Sequence, residues 1–78
     1  MTVSKELAAH EAWVRDNAAY YSAVIFRGRG QFYRKEAPTL EGIRALAREM
    51  LVEVGGLRPA GIYAVRDAYE VHVENVIP

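Results

Sequence analysis

The sequence predicts an α+β domain of element order α-β-β-α-β-β, in which a four-stranded, mainly antiparallel sheet carries two helices on one face. Three observations lead there. Residues 39–54 hold an unbroken helical stripe of apolar side chains between a capping threonine and a glycine pair. Residues 20–36 and 62–76 are rich in β-branched and aromatic side chains, and each is interrupted by a tight turn, Gly28-Arg29-Gly30 in one and Asp67-Ala68 in the other. Within the second stretch, Tyr69, Val71 and Val73 alternate with Glu70, His72 and Glu74, the pattern of a strand that is wet on one side. The 78 residues suffice for a single domain, 1–78.

In chain order, residues 4–19 read as a helix. Ser4 or Thr2 can cap it by accepting from a free backbone N–H, and Glu6 sits near the positive end of its dipole. Leu7, Val14, Ala18 and Tyr21 keep helical spacing with Trp13 on their flank, and alanines at 8, 9, 12, 18 and 19 favour the helix. Residues 20–27 form a strand, and 31–36 return from the glycine turn. The register of this hairpin stays open: a three-residue loop sets Phe26 opposite Phe32, a two-residue loop sets Ile25 opposite Phe32, and one step of slip exchanges the faces. Pro38 ends the strand and Thr39 caps the second helix, whose stripe is Ile43, Leu46, Ala47, Met50, Leu51 and Val54, with Arg44, Arg48 and Glu49 pointing away. Gly55-Gly56 closes it. Residues 62–66 and 69–76 make the second hairpin.

Two antiparallel hairpins joined by a helix limit the sheet order. A right-handed parallel crossover favours 1-2-4-3, with strands 1 and 3 at the edges; 1-2-3-4 is the rival. In the favoured order the element sequence resembles a ferredoxin-like sandwich, circularly permuted so that its first strand ends the chain.

Composition excludes several classes of function. With no cysteine there is neither a disulfide nor a thiolate metal site. Zero formal net charge argues against a surface devoted wholly to nucleic acid. No apolar run approaches a membrane span, and the opening Met-Thr-Val-Ser-Lys-Glu lacks a basic start leading into an apolar stretch, so the expectation is a cytoplasmic protein without membrane contact. The apolar fraction of 51% is slightly rich for a small domain and fits either a well-packed core or apolar surface buried against a second copy or a partner.

No catalytic constellation stands out. His10 and His72 are the only histidines. His72 alternates with Glu70 and Glu74, and a two-residue turn pairs it with Tyr63, so these four mark an exposed sheet-face surface. Serines and threonines show no nucleophile–base spacing, and Arg27-Gly28-Arg29-Gly30 joins two strands rather than a strand and a helix, which is not a phosphate loop. The expectation is therefore no enzyme, no cofactor and no metal. Residues 27–36 carry Arg27, Arg29, Arg34 and Lys35 against Glu36, while 60–78 carry Arg66 against Asp67, Glu70 and Glu74. Such polarity suits pairing within the sheet, Lys35 with Glu70 or Glu74, or between two copies. The leading expectation is a small non-enzymatic protein–protein interaction module that self-associates, with strand edges as the contact surface. The alternative is a nucleic-acid-binding domain in which Arg27, Arg29, Arg34 and Lys35 hold phosphates and Tyr33 or Phe32 stacks on bases.

Overall fold

A computed structural model describes residues 2–78, with side chains from Lys5 onward. The elements are α1 (Thr2–Asp16), β1 (Tyr20–Gly28), β2 (Gln31–Ala37), α2 (Leu40–Val54), β3 (Ala60–Arg66) and β4 (Tyr69–Val76). The order α-β-β-α-β-β is as expected, and capping of α1 by the Ser4 or Thr2 side chain lies outside the described residues. α1 stops at Asp16 instead of running to 19. Asn17 bonds back to the Trp13 carbonyl through its backbone N–H and its side chain, and the Ala19 N–H joins the sheet at Val65 O. The helix propensity of Ala18 and Ala19 yields to that tertiary bond.

The strands form one fully antiparallel sheet of order β2-β1-β3-β4. This corrects both sequence-derived orders and the ferredoxin-like permutation: β2 and β4 are the edges, and β1 and β3 lie side by side in the middle. Burial explains the arrangement. β1 holds Ser22, Ala23 and Ile25 fully or almost fully buried, and β3 does the same with Ala60, Ile62, Ala64 and Val65. Residues 20–26 and 60–65 carry no charge and suit positions flanked by a strand on each side, whereas the charges of β2 and β4 suit edges. α2 therefore carries the chain past β1 to reach β3, which runs parallel to β2.

Both helices lie on the same face. α2 packs on β1, β2 and β3 through Ile43, Ala47 and Met50, closing a core with Ala23, Ile25, Ala37, Ala60 and Ile62. α1 packs on β3 and β4, where Val14 meets Ala64 and Val71. Leu7, expected in the α1 stripe, is 57% exposed, so α1 is anchored mainly at its C-terminal half. Thr39 caps α2 by accepting from the Gly42 N–H at 3.0 Å, and the N–H of Gly55, at φ 70°, bonds Leu51 O, as the cap residues lead one to expect.

Candidate functional site

Among the described residues no element covers the side of the sheet away from the helices. Its residues follow from the register. In β1 they are Tyr20, Ser22, Val24 and Phe26; in β2, Phe32, Arg34 and Glu36; in β3, Gly61, Tyr63 and Val65. β4 adds Glu70, His72 and Asn75.

At one end lies the β1–β2 turn. Phe26 pairs with Phe32 and Gly28 with Gln31, a bulge at Arg27 taking up the extra residue. Arg29 (φ 53°) and Gly30 (φ 74°) are both left-handed, the conformation a tight hairpin requires. The Phe26 and Phe32 rings meet edge to face, 6.4 Å between centroids, and remain 60% and 58% exposed. Arg58 donates to Phe26 O at 3.0 Å, which holds its guanidinium beside them. Among the described residues Arg27 and Arg29 have no carboxylate partner.

In the middle, the Tyr63 ring lies over Gly61, so close that a Cβ there would meet Cε2 at 3.1 Å. The glycine makes room for the aromatic ring. His72 stands edge-on to Tyr63 at 5.4 Å and bonds Asn75 Oδ1 through Nε2 at 2.9 Å. Val24, Phe26 and Tyr63 form a shared wall between two shallow depressions. One, of about 260 Å³, is completed by Phe32, Arg34 and Glu70; the other, of about 190 Å³, by Arg58, Pro59, Gly61 and Asn75.

Arg34 reaches from one edge strand to the other. Its Nη2 is 3.2 Å from Glu36 and 2.6 Å from Glu70 on β4. Flat, the backbones of Arg34 and Glu70 would lie about 14 Å apart across three strand spacings and about 13 Å apart along four residues. The two side chains cannot span that diagonal, so the twist of the sheet brings these corners together and leaves the face concave along it. By register Ser22 lies on the diagonal between these corners; it is 0% exposed despite projecting from the open face, and among the described residues its Oγ has no hydrogen-bond partner.

The structure divides the residues expected to act together. Of the basic hairpin set, Arg27 and Arg29 sit at the tip and Arg34 on the open face. Tyr33 and Lys35 project to the helix side, where Tyr33 donates to Glu53 Oε2 at 2.6 Å and Lys35 lies 3.6 Å from Oε1. The Tyr33 hydroxyl and, after it, the Lys35 ammonium hold the Glu53 carboxyl below its usual range. Tyr33 is thus turned away from the open face, and the exposed ring of β2 on that face is Phe32. Neither expected partner of Lys35 is found beside it: Glu70 bonds Arg34, and Glu74 bonds Arg44 at 3.0 and 2.6 Å. That last pair, formed across from α2, also corrects the sheet-face set. Tyr63 does face His72, but a bulge between Ile62 and Tyr63 leaves Val73 out of register and turns Glu74 to the helix side. Glu70, His72 and Glu74 therefore do not converge. His10 sits on the other face, 4.4 Å from the Tyr69 ring. Phe26, Arg58 and Gly61 were not singled out in the sequence, although a glycine two residues before an aromatic within the uncharged stretch 60–65 was a usable signal.

Comparison of the chain with family models, with curated proteins and with solved structures returned no match.

Proposed function

We propose that the chain is a non-enzymatic binding module whose recognition surface is the open face of the sheet. The observation that carries this reading is the pair of exposed aromatics, Phe26 and Phe32, standing with Tyr63 and Val24 on a sheet face that no element covers. Large side chains left in water next to a shaped depression are the usual mark of a contact surface.

The reading moves the contact away from the strand edges, because both edges are blunted. β2 carries Arg34, Lys35 and Glu36 in succession, with Lys35 turned inward, and β4 is interrupted by its bulge and by Arg15, which donates to His72 O at 3.1 Å. Charges, inward lysines and bulges are the features that discourage edge pairing. Chemistry on the substrate finds less support. Ser22 and His72 are separated by the strand that holds Tyr63, roughly 10 Å at ordinary strand spacing, which is beyond the reach of a nucleophile and its base.

A face of this kind accepts either a second copy of the chain or an extended ligand with flat rings. Light scattering at about 10–100 μM reads the first, and fluorescence anisotropy with single-stranded homopolymers reads the second. At least one is expected to be positive and to be lost in Phe26→Thr/Phe32→Thr. A chain that stays monomeric and binds neither polymer overturns the reading.

A further inference from the structure

Resting on that reading of the open face, we infer that its occupant is a single-stranded nucleic acid, with bases on Phe26, Phe32 and Tyr63 and phosphates on Arg27, Arg29 and Arg58. Charge selects this occupant. The turn end of the sheet carries three arginines, Arg58 beside the open face, Arg29 in the turn and Arg27 in the bulge toward the end of α2, and among the described residues none of the three pairs with a carboxylate. Arg58 is spent only on a backbone carbonyl, which fixes its place and leaves its charge available. Arg29 occupies a left-handed turn position that asparagine or glycine fills with less strain. Keeping an arginine there makes sense if the charge is used.

Shape selects it as well. The two depressions share the wall of Val24, Phe26 and Tyr63; Arg58 borders one, and in the other Arg34 is held by Glu70, so the exposed rings form one continuous track whose unpaired cations lie at the turn end. Unstacked bases can lie on such rings while their backbone follows the cations; the bases of a duplex are stacked inside and cannot. A second copy fits less well, since it would present the same concave diagonal and the same three arginines. Glu70 and Glu36 oppose a polyanion, but both are held by Arg34 away from the turn end.

The experiment is anisotropy with labelled dT and rU oligomers of about 12 nucleotides, within the usual site size for one small domain, across a salt series, with a duplex of the same length as control. Binding to a single strand is expected at low salt, with log K falling by about 2 per decade of salt, from about 0.7 for each of three phosphates. Arg27→Ala/Arg29→Ala is expected to weaken binding at least tenfold and flatten that slope. Phe26→Thr/Phe32→Thr is expected to weaken it about tenfold or more with the slope unchanged. Glu70→Gln is expected to tighten it several-fold by removing a negative charge and freeing Arg34. Amide chemical-shift changes in the unmodified chain, which need no variant to fold, are expected on β1, β2 and the start of β3 and not on the helices. No binding at low salt, a preference for the duplex, or binding indifferent to the Phe pair overturns the inference. Self-association that depends on Phe26 and Phe32, without nucleic-acid binding, overturns it and leaves the binding-module reading standing; the absence of both overturns both.

Discussion

Glu53 shows how a single surface carboxylate ties an edge strand to a helix. It accepts from the Tyr33 hydroxyl and faces the Lys35 ammonium, so two successive inward positions of β2 are fastened to the end of α2. Both contacts favour the ionised carboxyl and lower its pKa from the ordinary 4.5, and the contacts with Tyr33 and Glu53 raise that of Lys35 from 10.5. A carboxyl with a lowered folded pKa contributes stability that is complete above its unfolded value and lost as pH falls through the folded one. A lysine with a raised pKa contributes below its unfolded value and loses it as pH rises further. Glu53→Gln is therefore expected to lower the urea midpoint at pH 7, with the difference from the parent chain closing below pH 4.5. An equal difference at pH 3 would show that the carboxylate charge is not the cause. Little of this pairing was legible beforehand: alternation showed that Lys35 and Arg34 point oppositely, but not which of them faced the helices.

At the scale of elements, α2 and its caps were the most readable part of the chain, because the stripe, the threonine and the glycine pair are all local signals. Thr39→Ala is expected to cost about 1 kcal/mol by leaving the Gly42 N–H without its acceptor. A core truncation on the same helix, Met50→Ala, is expected to cost about 2–5 kcal/mol, since Met50 is 0% exposed at the centre of the main cluster. Chemical denaturation checks both, and reversal of the two magnitudes would contradict the assigned roles. β4 was less readable. Its alternation looked uninterrupted through Glu74, and only pairing with β3 reveals the bulge that turns Glu74 toward Arg44. A bulge depends on the partner strand, so the sequence of one strand cannot report it.

For the whole molecule, class and element order were legible, and strand order was not. The connection rules used to rank orders concern handedness and neighbouring hairpins; they do not weigh how wet each strand is. Charge content would have done better. Residues 20–26 and 60–65 contain no charged side chain, and these are the two strands that become central. The consequence reaches function, because placing β1 and β3 in the middle sets Phe26 and Tyr63 on the centre of the open face, and β2 adds Phe32 beside them. The same arrangement explains how so small a chain comes to be rich in apolar residues: part of that content lies on the open face and outside the core.

The open face is tested most directly by the stability of Phe26→Thr/Phe32→Thr, which keeps strand-forming residues at both positions. With both rings more than half exposed, urea denaturation should show a small loss, on the order of the 0.5–1.5 kcal/mol of an edge-to-face contact. A loss of about 6 kcal/mol or more, as for two rings taken out of a packed interior, would mean that this face is buried and that the account is wrong.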